Sequence, residues 1–311
     1  MIKKILKNII SSLEIVFTSR IASQHAKVFK EINDTKLLLG RISSNENRKI
    51  GILKNIQDAE FKVFSQWGDD GIIQYLVNKL DIPVKNFIEF GVSDYTESNT
   101  RFLLLNNNWT GLVMDCSEEN IRYIKNDDIY WKHDLTAKFA FVTMENVNKL
   151  FSDSDFSGEI GLLHIDVDGN DYWIWKAIGV VDPVIVIVEY NSLFGMDRAI
   201  TIPYDPKFNR LDAHHSGIYA GASLLALCDL AEDKGYVFVG SNSAGNNAYF
   251  IKKDRGGSIN TLSPKEGYVA SKFREHRDEQ GQLTFLPGHA AIKSIRGMKV
   301  FNTRTNAIEE F

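Results

Sequence analysis

The segment "HIDVDGNDYW" (164–173) places Asp166, Asp168 and Asp171 with Asn170 at the end of an apolar run, and "VIVEYN" (186–191) ends another on Glu189 and Asn191. Hard oxygen donors at this density suit Mg²⁺ or a similar divalent ion, with Asp166, Asp168, Glu189 and Asn191 as its ligands. The competing reading is local: Asp168 and Asn170 form an Asx turn capping the helix that begins near Tyr172, which leaves Asp166 alone for a ligand. "FIEFGVSDYTESNT" (87–100) points Glu89 at the glycine turn of Gly91, ahead of a helix entered through Ser98 and Asn99. A ligand with ribose hydroxyls or a charged amino-acid tail, lying across the strand end, gives that carboxylate a purpose. A proton acceptor is offered by His214 and His215, in the polar loop "NRLDAHHSGIYAGAS" beside Asp212, because neutral imidazole takes a hydroxyl proton near pH 7. His164, pointing from a strand, reads better as a satisfied core residue.

These groups need elements to hold them. Apolar runs at 86–92, 110–117, 135–143, 159–171 and 183–191 read as strands, and helical patterns follow each of the first four. That alternation predicts a doubly wound, mostly parallel sheet, with 183–191 as a central strand covered on both faces. The pattern then changes. A helix stopped by Gly235 precedes two strands joined by a turn at Ser243-Ala244-Gly245, and so short a joint requires antiparallel pairing. The expected architecture is therefore an α/β, Rossmann-like seven-stranded sheet closed by an antiparallel hairpin. Its expected divisions are a helical extension over 1–60 with a break at 43–49, a ligand-binding domain over 61–255, and an extension over 256–311 ending in a small hairpin around 303–306.

A chain of 311 residues with 44% hydrophobic content can bury a full core. Its net charge of −4 and pI of about 6.0 give no general attraction to nucleic acid. Cys116 and Cys228 stand in apolar surroundings without metal-ligand spacing, which reads as reduced, buried thiols in a cytoplasmic protein. No apolar run approaches the ~20 residues of a membrane span. Ile2, Ile5, Leu6, Ile9 and Leu13 form one face of an amphipathic helix, and the contact expected through residues 1–20 is either with a membrane surface or with a partner subunit in a homo-oligomer.

The ordered set "FSQWGDDGI", "FIEFGVSDYTESNT", "GLVMDCSEEN", "FVTMENVN", "HIDVDGNDYWIW", "VIVEYN", "YAGASLLAL" and "GYVFVGSNSAGNNAYF", spanning roughly residues 61 to 253, resembles class I S-adenosylmethionine-dependent methyltransferases. Within these it is similar to the FkbM-type branch and its sugar-modifying relatives. One departure stands out: the family's first loop carries two or three glycines, and here Ser93 and Tyr95 follow Gly91 where others would fall. The resemblance implies an O-methyltransferase acting on a sugar or glycan hydroxyl with S-adenosylmethionine as cofactor. It sets the strands of Glu89, Asp166 and Glu189 side by side, so that three acids line one edge, and implies a divalent metal at the ends of the last two. It puts Glu89 and Gly91 against the methionine part, Asp115 on the ribose hydroxyls, Glu145 beside the adenine and Asn99 among the cofactor contacts, and it folds the turn of Ser65 and Gln66 over the cofactor as a lid. His214, His215 and Asp166 are then the catalytic candidates. Tyr172, Trp173, Trp175, Tyr190 and Tyr204 are open either to stacking on a sugar or to helix packing. Asp115 suits any nucleoside, so an NAD-dependent oxidoreductase stays open, although G-x-G-x-x-G is missing. A non-catalytic nucleotide-binding module of a glycan-assembly complex stays open too.

Overall fold

The computed structural model describes the backbone of residues 2–311 and, apart from those of Ala22, Ser23 and Ala26, the side chains from Arg20 onward. The amphipathic face proposed over Ile2 to Leu13 lies outside the described side chains. Helix α1 (Ile2–Lys49) runs through 43–49 without the expected break. The reason is tertiary: Ser44 donates to Gln74 at 2.8 Å, and the Asn47 amide donates to the carbonyls of Ala59 and Gly71, both at 3.1 Å. Among the described residues no helix is long and apolar enough to cross a membrane.

After α2 (Asp69–Lys79) the chain alternates: β1 (Asn86–Phe90), α3 (Arg101–Asn107), β2 (Thr110–Asp115), α4 (Glu118–Asn126), α5 (Asp128–Lys132), β3 (Leu135–Phe139), α6 (Val147–Ser152), β4 (Gly158–Ile165), α7 (Asp171–Ala177) and β5 (Val181–Glu189). Short β6 (Ile200–Thr201) and α8 (Arg210–Ala213) precede α9 (Leu224–Asp233) and the hairpin β7 (Tyr236–Ser241) and β8 (Asn247–Lys252). The seven-stranded sheet has the order β3-β2-β1-β4-β5-β8-β7, with β8 antiparallel to both its neighbours and the remaining pairs parallel. This is the Rossmann-like arrangement expected from the alternation and the closing hairpin.

The order reverses between β1 and β4, and in open α/β sheets a crevice for ligands forms there, beyond the carboxyl ends of the strands. Both faces of the sheet are covered. Phe151, Ile174, Trp175 and Leu227 pack on one side, and Ile72, Leu76, Leu103 and Ile121 on the other. Residues Val184 to Val188 of β5 are fully buried, as a strand with two covered faces requires.

The terminal segment carries α10 (Pro264–Gly267), α11 (Gly288–Ala291), β9 (Lys299–Asn302) and β10 (Ala307–Glu310). The hairpin of β9 and β10 takes in β6 to make a three-stranded antiparallel sheet over a small core of Phe194, Ile200, Ile202, Ile295 and Val300. Two residues are too short a run to announce β6 in sequence.

Candidate active site

A cavity of about 910 Å³ opens at the carboxyl ends of the parallel strands. Its floor carries Gly91, Asp115, Asp166 and Glu189 from the ends of β1, β2, β4 and β5. Its walls come from distant parts of the chain: Gln66 and Trp67, Ala140 to Val142, Phe208 and Arg210, the β7–β8 turn at Ser243, Ala244 and Asn246, and Lys272, Phe273 and Glu275.

The loop after β1 keeps a left-handed backbone at alternate residues although only one is glycine: φ is +78° at Gly91, +50° at Ser93 and +64° at Tyr95. Each non-glycine residue there carries roughly 1–2 kcal/mol of strain. Gly91 itself has no alternative, since a Cβ would stand 1.8 Å from the Asp166 carbonyl oxygen. Tyr95 is fully buried, and its hydroxyl lies 2.9 Å from Thr100 Oγ1, which anchors the loop. The Ser93 N–H donates to Asp115 at 2.8 Å. Asp115 also accepts from the Ser117 N–H at 2.8 Å and the Asn120 amide at 2.9 Å. A carboxylate has about four lone-pair sites, so one acceptor position is left on a side chain that lines the cavity.

Glu89 faces elsewhere. It is 3% exposed and does not line the cavity. It accepts from Ser98 Oγ at 2.5 Å, from the Asn99 and Thr100 N–H groups at 3.0 Å each and from the Thr100 hydroxyl, while His164 Nδ1 donates at 2.8 Å. Register supplies the histidine: Glu89 and His164 are paired across β1 and β4, so their side chains share one face of the sheet. Burial alone would raise the Glu89 carboxyl. The His164 bond and charge, with the Ser98 and Thr100 donors, outweigh it and hold the group below its ordinary value. His164 is shifted upward in turn, because the Glu89 bond and charge outweigh the opposing effect of burial. The expectation of three acids along one edge is corrected to two strand-end acids, Asp166 and Glu189, with Asp168 beside them.

Those three bring donor oxygens within 4.8 Å of one another. The turn that shapes the cluster is held by Asp171, which accepts from the Val167 N–H at 2.8 Å and the Gly169 N–H at 3.0 Å. Burial pushes the Asp171 carboxyl up to about 6. Asp168 is therefore not the capping group; its left-handed φ of +56° turns it outward, 3.0 Å from Arg210 Nη1. Burial, followed by the charge of Asp168, pushes Asp166 up to about 7. Glu189 is raised well above its ordinary value by burial and then by Asp166, Asp171 and Asp168. Asn191 has its side chain committed to backbone groups: its amide donates to the Ile218 and Ala220 carbonyls at 2.9 Å, and its oxygen accepts from the Leu193 N–H at 3.0 Å.

Of the remaining sequence candidates, Gln66 lines the cavity and Ser65 does not. Ser65 is buried and joins the Val63 and Phe64 N–H groups in donating to Asp70 Oδ2 at 2.7–2.8 Å, an arrangement that shapes the turn presenting Gln66 and Trp67. Asn99 is buried with its amide 3.1 Å from His164 Nε2. Glu145 lies outside the lining and accepts from the Tyr204 hydroxyl at 2.6 Å. His214 and His215 also lie outside it. Their ring centroids lie 4.2 Å apart with the planes tilted by 34°, and His214 Nδ1 sits 2.6 Å from Ser216 Oγ. Tyr172, Trp173, Trp175 and Tyr190 are buried packing residues. Cys116 is exposed and lines the cavity, contrary to the buried thiol expected there.

Several positions that shape the cavity escaped sequence reasoning. Trp67 stacks on Phe273 at 5.3 Å and 16°, which closes the 65–71 turn onto the terminal segment. Asp69 accepts from the Asn242 and Asn247 amides at 3.0 and 2.9 Å and from the Tyr249 hydroxyl. Glu60 accepts from the Ser243 N–H at 2.6 Å. These bonds fix the β7–β8 turn as a cavity wall, where turn chemistry alone gave it no role. Only the "GDDG" and "SNSAGNN" strings hinted at such links.

No protein-family model and no curated protein matches the chain. Among solved structures, the N-terminal domain of EvdMO1 with SAH bound is 11% identical, with a TM-score of 0.39 over 60% of this chain and 80% of that one. A S-adenosylmethionine-dependent methyltransferase from Clostridium acetobutylicum is 10% identical, with a TM-score of 0.39 over 59% and 90%. An O-methyltransferase family protein from Burkholderia thailandensis is 11% identical, with a TM-score of 0.36 over 78% and 59%. Matches this distant establish no family, and the functional reading rests on the geometry of the cavity.

Proposed function

We propose that the chain is a S-adenosylmethionine-dependent O-methyltransferase whose acceptor is a sugar or glycan hydroxyl. The observation that carries this reading is the pairing within one cavity of Asp115, with an acceptor position left for a ribose hydroxyl, and the acid cluster Asp166, Asp168 and Glu189. Ala140, Phe141 and Val142 beside Asp115 form an apolar margin for the adenine. On the far wall, Trp67, Phe208 and Phe273 offer ring faces to a sugar, while Arg210, Lys272 and Glu275 offer polar contacts to its hydroxyls.

Three carboxylates with donor oxygens this close, two of them raised by burial and by each other, fit a hard dication. Asp166, Asp168 and Glu189 would hold it, and its Lewis acidity would lower the pKa of a bound hydroxyl. The cofactor supplies a methyl on a sulfonium: the hydroxyl oxygen forms the new C–O bond while the C–S pair returns to sulfur. Asp115 and the loop of Gly91 and Ser93 fix the nucleoside, and the aromatic wall fixes the acceptor. Positioning of this kind is worth up to about 7–11 kcal/mol of barrier. With both histidines outside the lining, the carboxylates of the cavity, and not that loop, are placed to take the hydroxyl proton.

Calorimetry with S-adenosylhomocysteine tests the cofactor. Binding weakened about tenfold or more by Asp115→Asn supports the reading, given roughly 1.5–3 kcal/mol for a hydrogen bond to a charged group. Binding of NAD in place of S-adenosylhomocysteine refutes it. A one-methyl mass shift on screened sugar acceptors, with and without EDTA, then tests the acceptor and the metal.

A further inference from the structure

Helix α1 meets the body of the protein through Leu37, Gly40, Ser44 and Asn47, and every residue from Lys27 to Lys36 is exposed. A second face of the same helix carries Ile21, Val28, Ile32, Leu39 and Ile42, each between 36% and 58% exposed. At 100° per residue this stripe lies roughly 120° around the helix from the face on the body. Its spacing alternates three and four residues from 21 to 42 once His25 and Thr35 are included, which is the seam of a coiled coil. Ile32, Leu39 and His25 occupy the a positions; Ile21, Val28, Thr35 and Ile42 occupy d.

We propose that residues 21–42 join copies of this chain in a parallel coiled coil of three or four strands. Charge sets the direction. The g positions are Gln24, Glu31 and Leu38, and the e positions among the described side chains are Phe29, Lys36 and Ser43. Parallel helices set each g residue against the e residue five places on in the neighbour, so Glu31 meets Lys36. Antiparallel helices set g against g and e against e, and no opposite charges can then meet. In the single chain Lys36 Nζ stands 5.2 Å over the Phe64 ring, an exposed contact its flexible stem can leave. Strand number follows from branching: β-branched residues at d favour more than two strands, and the apolar Phe29 and Leu38 widen the seam in the same direction.

Light scattering on the full chain at tens of micromolar should give three or four times 35.2 kDa; a monomer or a dimer overturns the proposal. Ile32→Asp with Leu39→Asp should give single chains that keep the cooperative unfolding transition, and an unchanged assembly overturns it. Glu31→Lys, a surface change that leaves folding alone, should weaken assembly roughly tenfold, for three or four pairs at about twofold each. Adding Lys36→Glu should restore it, and no restoration excludes the parallel arrangement. If the chain is monomeric and floats with phosphatidylserine vesicles, a lipid surface covers the stripe and the proposal falls.

Discussion

Replacing Asp166 with asparagine should stabilise the metal-free protein while abolishing methyl transfer. No protein donor bonds to Asp166 among the described residues, and Asp168 and Glu189 crowd it. Its carboxyl rises from 3.8 to about 7 on folding. The folded state therefore holds a proton that the unfolded chain has released across that interval, and stability falls as pH rises from about 4 to above 7. At 1.36 kcal/mol per unit the full penalty at pH 8 is about 4 kcal/mol. Asparagine removes the charge but keeps the shape, so a gain of about 2–4 kcal/mol is expected, with Glu189 relaxing toward its ordinary range. For a chain this size that is roughly 3–6 °C in Tm. The assay is thermal unfolding at pH 5 and pH 8 in EDTA, repeated with millimolar Mg²⁺. The wild type should be less stable at pH 8 than the variant, the gap should narrow at pH 5, and Mg²⁺ should raise the wild type alone by linkage. A variant less stable than the wild type at pH 8 in EDTA would mean that Asp166 is held by favourable contacts, and the electrostatic account of the cluster would fail.

Glu89→Gln should cost about 3–5 kcal/mol in urea unfolding, because it leaves His164 buried without its counter-charge. The wild type should also lose this contribution as pH falls below the ordinary 4.5 of a glutamate and through the depressed value, whereas the variant should not. Gly91→Ala should destabilise by about 3 kcal/mol or more, since overpacking against the Asp166 carbonyl adds to positive-φ strain; Ser93→Gly, assayed in parallel, should be neutral or slightly stabilising. His214→Ala and His215→Ala should each leave the rate of methyl transfer within about twofold, because neither ring lines the cavity; a loss of a hundredfold would move the base to that loop.

The sequence by itself determined what short-range periodicity and turn chemistry can encode. Alternating apolar runs announced β1, β2, β4 and β5, the short turn at Ser243 to Gly245 announced the antiparallel end of the sheet, and Asp115, Asp166 and Glu189 were legible as acids at strand ends. Strand pairing decided the rest. Glu89 turned inward onto donors from Ser98, Asn99 and Thr100 and onto His164, its register partner on β4, and nothing near residue 89 encodes that partner. Asp171, one place beyond the residues read as an Asx turn, took the turn-holding bonds and left Asp168 to the cluster. Helix α1 continued through 43–49 because carbonyls and amides over twenty residues away satisfied its polar side chains. The cavity's outer wall comes from Arg210, Asn246 and Phe273, which no local pattern could connect to Asp115. A hydrophobic period fixes which face of an element is buried, but which polar groups meet across a cleft depends on register and on contacts between segments far apart in the chain.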